Sequence, residues 1–270
     1  MRFLETEGIP VYGIARTAEG IDLSELEARF SSGDIKFFYT MPRYHNPLGT
    51  SYSLEQKRAI ARLADKYDVY VLEDDYMADL GAERSADPIF ACDGGSRVIY
   101  LKSFSKIIFP GLRLGAIVLP ERLLETFRAY KIYPDTSLLS QAALEVYIKN
   151  GMYERHKHKI SSMYASRMKA LNESAARYNE LGLMEAPVIG SGIYSHFRLK
   201  PTVNVERLIK RLAERKVSVV NGKRFYLSNY LEREKFLRIS ISQTRPEQID
   251  EGIRAIAEEL KRGNGRGVSL

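Results

Sequence analysis

The segment Val69-Tyr70-Val71-Leu72-Glu73-Asp74-Asp75-Tyr76 is a short, continuously apolar run that ends abruptly in acidic residues. Similar β-prone runs stand at 36–40, 98–101 and 114–119. Strands that are covered on both faces have this nearly unbroken apolar character. Ser53-Leu54-Glu55-Gln56, between the first two runs, matches a capping box that opens an amphipathic helix. This alternation predicts an α/β domain, with a mostly parallel sheet and helices on both faces.

The last third of the chain has a different pattern. Residues 151–178 contain few helix breakers and predict one long helix, whereas 192–199 and 236–242 alternate like half-buried strands. Thr244-Arg245-Pro246-Glu247 predicts a second capping box. We therefore expect a smaller α+β C-terminal domain. We expect a large domain at 1–165, a small domain at 166–262 and a disordered tail at 263–270.

Composition narrows the class of protein. The chain has 270 residues, and 41 Lys and Arg against 34 Asp and Glu give a net charge of +7. The basic residues are spread along predicted helices, so we interpret the densest run, 155–159, as a solvated face rather than a nucleic-acid surface. A single cysteine, Cys92, excludes an internal disulfide framework. No signal peptide or membrane segment is evident, which makes the cytoplasm the default location.

Polar side chains follow the predicted strands, where ligands bind in sheets of this kind. His45-Asn46-Pro47-Leu48-Gly49 follows the first strand, and taken alone it is more typical of an ordinary turn than of a binding site. Asp74-Asp75 follows the second strand. Two adjacent carboxylates can serve as a helix cap, as metal ligands or as partners of a buried cation, and their spacing does not choose between them.

The third strand leads into Ser103-Phe104-Ser105-Lys106, and Arg113 follows seven positions after the lysine. Hydroxyl donors and a guanidinium suit a phosphate group. Lys106 could be an ordinary surface lysine, but its neighbours Phe104 and 107–109 are apolar. A lysine beside a phosphate site, in apolar surroundings that lower its pKa, meets the requirement of Schiff-base chemistry.

Taken together, these motifs resemble the fold-type I pyridoxal-phosphate enzymes, the aspartate aminotransferase superfamily. The sequences at 44–49, 73–76 and 103–106 are most similar to the aminotransferase-like domain of GntR-type (MocR) transcription regulators and to kynurenine/2-aminoadipate aminotransferases. The resemblance implies pyridoxal 5'-phosphate as cofactor and no metal. The implied cofactor contacts are Lys106 for the Schiff base, Asp74 for the pyridine nitrogen, Tyr76 and Asn46 for the phenolic oxygen, and Ser103, Ser105 and Arg113 for the phosphate.

The resemblance also implies that Arg238 binds the α-carboxylate of the substrate. The alternation at 236–242 places Arg238 on a polar face with Ser240 and Ser242, opposite three apolar residues. That face could border a cleft or simply face solvent, and the pattern alone does not decide.

The implied activity is amino-group transfer between an amino acid and a 2-oxo acid, with Lys106, Asp74 and Tyr76 as catalytic residues. One alternative is an effector-sensing domain of a GntR-type regulator, and another is a fragment that binds no cofactor. The resembled proteins carry a further segment before the point matching Met1, with a phosphate loop and a ring that stacks on the cofactor, so we expect an N-terminally truncated chain. Regulators of this type bind DNA through a domain upstream of that segment. The resemblance also implies a homodimer.

Overall fold

The elements alternate between helix and strand through the first half of the chain. A computed structural model describes residues 2–80, 87–131, 136–179, 182–231 and 233–264. The strands are β1 (Phe37–Thr40), β2 (Tyr70–Asp75), β3 (Val98–Ser103), β4 (Gly115–Val118), β5 (Met184–Glu185), β6 (Tyr194–Leu199), β7 (Val220–Asn221) and β8 (Phe236–Ser240). The helices are α1 (Arg2–Thr6), α2 (Leu23–Ser31), α3 (Leu54–Lys66), α4 (Phe90–Asp93), α5 (Leu124–Tyr130), α6 (Leu138–Lys149), α7 (Met152–Tyr178), α8 (Val205–Glu214) and α9 (Pro246–Asn264). Across the described ranges, none of these helices combines the length and the apolar character needed to cross a membrane.

Internal contacts divide the chain into two compact units. The parallel-sheet unit comprises Glu19–His45 and Thr50–Met163. The antiparallel-sheet unit comprises Met1–Ala18, Asn46–Gly49 and Tyr164–Leu270. The domain boundaries expected from the sequence stay a prediction.

The parallel-sheet unit contains a sheet with the strand order β1-β2-β3-β4. β2 pairs in parallel with both β1 and β3, and β4 closes the edge antiparallel to β3. The central strands are apolar because they are covered: Val71 and Val98 are fully buried. The parallel strands therefore end at one edge of the sheet, where their polar residues stand.

Capping side chains mark where helices α2 and α3 begin. Ser53 Oγ accepts a hydrogen bond from the Gln56 amide at 3.2 Å, as the capping pattern predicts. The reciprocal half of the predicted box is absent, because the Gln56 side chain reaches the carbonyl of Ile21 instead. Helix α2, for which the sequence analysis makes no prediction, begins after Asp22, whose Oδ1 accepts from the Ser24 amide at 2.8 Å.

The antiparallel-sheet unit contains the strand order β5-β6-β8-β7, with every pair antiparallel. Its core joins one face of this sheet to α7, α8 and α9. The long helix predicted over 151–178 is confirmed as α7. The core residues with the smallest exposure include Met168 and Leu171 of α7, Phe197 of β6, Leu212 of α8, Leu237 of β8 and Ile256 of α9.

Helix α9 begins one residue later than the predicted capping box requires. Arg245 precedes the first helical residue, and its amide donates to Gln248 Oε1 at 3.0 Å. The Thr244 hydroxyl has no hydrogen-bond partner within the described residues, so the predicted box is wrong in register. The proline in the first turn is confirmed. The helix continues to Asn264, and residues 265–270 of the expected tail lie outside the described residues.

Candidate active site

Adjacent carboxylates at the end of β2 face opposite sides of the sheet. Asp74 is in register with Leu101 of β3, and Asp75 is in register with Lys102. Side chains alternate along a strand, so Asp74 shares its face with Ser103, two positions after Leu101. Asp75 lies on the other face, with Lys102.

Asp74 is half-buried on the face that it shares with Ser103. Tyr39 Oη, on β1, donates to Asp74 Oδ2 at 2.7 Å. Burial raises the pKa of Asp74, the bond from Tyr39 opposes that rise, and the neighbouring charge of Asp75 adds to it. Tyr39 therefore favours the ionised form of Asp74.

Asp75 is occupied by a buried ion pair. Arg43 Nε donates to Asp75 Oδ1 at 3.0 Å, and a second guanidinium nitrogen contacts Oδ2. Tyr100 Oη donates to Oδ2 at 2.8 Å. Asp75 is thus the partner of a buried cation, one of the alternatives that the spacing left open. Of the two carboxylates, Asp74 is the less buried, and it lies on the face of Ser103.

Tyr76 ties the strand end to the loop after β1. Its hydroxyl donates to the backbone carbonyl of Tyr44 at 2.6 Å. Tyr44 itself has a left-handed backbone, with φ of 50°, which is uncommon for a residue with a side chain. The loop is closed by the bond from the His45 amide to the Thr50 carbonyl at 2.9 Å. The phenol of Tyr76 is therefore held at the edge where β1 and β2 end.

The candidate phosphate residues and Lys106 lie on a single loop between β3 and β4. Ser103 pairs with Gly115 at the base of this loop, and the Phe104 amide donates to the Leu114 carbonyl at 3.2 Å. Ser103 Oγ accepts from the Ser105 amide at 3.2 Å. The antiparallel pairing of β3 and β4 thus brings the ends of the loop together. The predicted residues on it are Ser103, Ser105, Lys106 and Arg113.

Lys106 is exposed in a turn, contrary to the expectation of apolar surroundings. Of its apolar neighbours, Ile107 is buried at 3% exposure, whereas Phe109 is 53% exposed. In this turn the side chains of Lys106 and Ile107 differ in burial, so apolar neighbours in the sequence do not bury the lysine. Arg113 is also exposed, with φ of 54° after a short 3-10 turn.

Arg238 and Asn46 lie together in the antiparallel-sheet unit. A terminal guanidinium nitrogen of Arg238 donates to Asn46 Oδ1 at 3.2 Å. The Arg238 guanidinium carbon lies 4.8 Å from the ring centre of Tyr194 and 5.3 Å from that of Phe225. Arg238 is half-buried, and its Nε has no hydrogen-bond partner among the described residues. Leu237, on the opposite face of β8, is fully buried, which confirms the predicted alternation.

Steric constraints explain why the Asn-Pro-Leu-Gly motif ends in glycine. Gly49 has φ of +78°, in the region that side chains rarely adopt. A Cβ atom there would also collide with the carbonyl oxygen of Tyr194. The carbonyl of Leu48, one residue earlier, contacts His196 Nδ1 at 3.0 Å. The motif is therefore packed against β6 and is more than a solvent-exposed turn.

Sequence reasoning missed several polar residues around this site. Tyr39 and Arg43 complete the environment of the two carboxylates. Asp79 accepts from Lys102 Nζ at 2.9 Å and from Tyr153 Oη at 2.6 Å. Alternation along β1 could have identified Tyr39, because it lies on the same face as Asp74. The contacts of Asp79 and Tyr153 bring together residues far apart in the sequence, and no local pattern signals them.

The aminotransferase class I and II family matches residues 2–256. This chain belongs to that family. It is 46% identical over 263 residues to YcxD of Bacillus subtilis, an HTH-type transcriptional regulator, covering 95% of this chain and 59% of that protein. It is 32% identical over 234 residues to the mitochondrial kynurenine/alpha-aminoadipate aminotransferase of Bos taurus, covering 84% and 54% respectively. The chain thus spans less than two thirds of the length of these relatives.

Solved structures confirm the fold class. The multiple substrate aminotransferase of Thermococcus profundus superposes with a TM-score of 0.86 at 26% identity, over 94% of this chain and 64% of that one. The kynurenine aminotransferase of Pyrococcus horikoshii gives a TM-score of 0.84 at 26% identity, over 95% and 64%. The α/β architecture and the family resemblance inferred from the motifs are both confirmed. Enzymes of this class in general depend on pyridoxal phosphate.

Proposed function

We propose that this chain binds pyridoxal 5'-phosphate through Lys106 and belongs to an aminotransferase that moves an amino group between an amino acid and a 2-oxo acid. The observation that carries the proposal is the common face of Asp74 and Ser103, with Lys106 on the loop that Ser103 begins. This cofactor requires three kinds of protein group: a carboxylate for its ring nitrogen, an amine for its aldehyde and hydrogen-bond donors for its phosphate.

The phosphate contacts we propose use the loop between β3 and β4. The hydroxyls of Ser103 and Ser105 would donate to phosphate oxygens, and the Arg113 guanidinium would form a bidentate pair with them. Tyr76 and Asn46 are the proposed hydrogen-bond partners of the phenolic oxygen of the ring. In the structure the Tyr76 hydroxyl donates to a backbone carbonyl, and its oxygen retains the capacity to accept.

The bound cofactor would supply the electron sink for the charge that develops at the substrate Cα. Ionised Asp74 would pair with the protonated ring nitrogen, and Tyr39 supports that ionised form. Lys106 Nζ would act as the base that takes and carries the proton of the substrate Cα. Arg238 binds the substrate carboxylate, and Asn46 and the flanking rings hold the guanidinium in place. The catalytic residues we propose are Lys106, Asp74 and Tyr76.

A second candidate function is an effector-sensing domain of a GntR-type regulator, which the 46% identity to YcxD favours. In that case an amine ligand binds at the same site without turnover, and DNA binding belongs to another part of the whole protein. We also propose a homodimer in the cytoplasm. Exposed apolar residues of α6, such as Leu138 and Leu139 at 74% and 82% exposure, support a subunit contact that removes them from water.

Reductive trapping tests the shared part of these proposals. The chain is mixed with pyridoxal phosphate, reduced with borohydride and digested, and the modified lysine is identified by mass spectrometry. Modification of Lys106 supports the site, with Lys106→Arg as the matched control that keeps the charge. Modification of another lysine, or of none, refutes it. Keto acid formed on addition of an amino acid distinguishes the enzyme from the sensor.

A further inference from the structure

A side chain from helix α7 holds the turn that carries Lys106. His156 Nε2 lies 2.8 Å from the backbone carbonyl oxygen of Ile107, the residue after the lysine. A carbonyl oxygen only accepts hydrogen bonds, so this ring nitrogen carries the proton and donates it.

The same face of α7 packs beneath this turn. Tyr153 lies three positions before His156 and is 6% exposed, and residues spaced by three are neighbours on a helix. Its ring packs edge-on against Phe104, at 6.1 Å between ring centres. Lys102 Nζ lies 5.3 Å from the ring centre of Phe104 and pairs with Asp79 at 2.9 Å. The start of the turn is therefore packed against α7.

The turn has few contacts that determine the direction of the lysine. The Ile108 amide donates to the Phe104 carbonyl at 3.0 Å, which closes the turn internally. In the part of the chain that the structure describes, Lys106 itself makes no hydrogen bond or ion pair. The backbone on its C-terminal side is held by the bond from His156.

We propose that His156 is a positioning residue: its Nε2 proton fixes the Ile107 carbonyl and thereby presents the Lys106 amine for cofactor attachment. The inference rests on the proposed function of Lys106, although the contact itself does not. The alternative is that His156 only packs α7, since its ring also contacts Tyr147 at 6.2 Å between ring centres.

Three variants separate the two roles. His156→Gln keeps a nitrogen donor at the reach of Nε2, whereas His156→Leu keeps an apolar side chain of similar bulk without the donor. His158→Leu makes the same change at an exposed histidine on the same helix. A packing role tolerates leucine better than glutamine, and a donor role requires the opposite order.

Amide hydrogen exchange of the cofactor-free chain reports on the turn directly, through the hydrogen-bonded amide of Ile108. We expect His156→Leu to exchange about fivefold faster there, which corresponds to ~1 kcal/mol for one hydrogen bond. His156→Gln and His158→Leu should stay within about twofold of the unmodified chain, since each keeps the donor. Unchanged exchange in His156→Leu, or an equal increase in His156→Gln, overturns the proposal.

Reductive trapping with pyridoxal phosphate provides the second readout. Under limiting reaction time, His156→Leu should label Lys106 about fivefold less than the unmodified chain, and His156→Gln should restore labelling. Equal labelling in all variants overturns the positioning role. Absence of label at Lys106 in the unmodified chain instead refutes the proposed function, and the hydrogen-exchange result then still decides whether His156 holds the turn.

Discussion

The buried pair of Arg43 and Asp75 allows a quantitative test of the different roles assigned to adjacent carboxylates. The two side chains are 8% and 0% exposed, and Asp75 also accepts from Tyr100 at 2.8 Å. Arg43→Met removes the cation and leaves the buried Asp75 carboxylate without that opposite charge. Breaking a buried pair in this way costs about 3–5 kcal/mol of the free energy of unfolding. Asp75→Leu, which removes the carboxylate that the guanidinium contacts, should cost a similar amount.

Replacing both partners should recover most of this loss. Arg43→Met combined with Asp75→Leu removes both charges of the pair, and such replacements are often neutral or stabilising. The Tyr100 hydroxyl loses its acceptor in that variant, which costs about 1–3 kcal/mol. We therefore expect the double variant to be more stable than either single variant. Urea unfolding at pH 7, followed by circular dichroism, measures each free energy and completes the double-mutant cycle.

The same double variant tests the site. If Asp74 is the partner of the ring nitrogen, the double variant still attaches pyridoxal phosphate to Lys106, whereas Asp74→Asn slows turnover by about 10²–10³-fold. A double variant no more stable than the single variants refutes the energetic reasoning. A folded double variant that attaches no cofactor, together with an active Asp74→Asn, shows that Asp75 contacts the ring.

Further predictions concern Asp74, Gly49 and Glu73. Tyr39→Phe removes a donor that lowers the pKa of Asp74, so the acid limb of the pH profile of turnover should move to higher pH; an unmoved limb contradicts the contact. Gly49→Ala should lower the free energy of unfolding by about 2 kcal/mol or more, because alanine is strained at φ of +78° and its Cβ collides with Tyr194; urea unfolding at wild-type stability would contradict this. Burial raises the pKa of Glu73 from 4.5 to about 7, against the bonds from two backbone amides. The folded state then favours protonated Glu73. The contribution of Glu73 to the free energy of unfolding is therefore complete below pH 4.5, and it is lost as the pH rises through 7. Relative to Glu73→Gln, the unmodified chain should lose up to ~3 kcal/mol across that range in urea unfolding, and a constant difference would refute the shift.

The sequence predicts the elements of this fold well where the pattern is local. Apolar runs that end in polar residues predict β2 and β3, and Ser53 predicts the beginning of α3. The register of the second capping motif fails by one residue: Gln248 accepts from the Arg245 amide, and the Thr244 hydroxyl has no partner among the described residues. Residue types alone do not predict which of these side chains makes the capping hydrogen bond.

The composition of the candidate site is also readable from the sequence, whereas its environment is not. Motif order places the lysine, serines and arginine on one loop, which the pairing of Ser103 with Gly115 supports. The exposure of Lys106 contradicts the inference from its apolar neighbours, since a turn separates side chains that are adjacent in sequence. His156 and Ile107 are 49 positions apart, so their contact depends on tertiary packing.

The end of β2 places two adjacent carboxylates in different environments. Because side chains alternate along β2, Asp74 lies on the face of Ser103 and Asp75 lies on the face of the buried Arg43. The two carboxylates could exchange environments only if the register of the strand shifted by one residue. Because Arg43 lies in the loop after β1, the pair also joins the ends of β1 and β2. The buried ion pair on one face thus fixes the strand end that carries the half-buried carboxylate of Asp74 on the other. An acidic pair at a strand end is therefore better assigned by which member has a buried cation than by its position in a motif.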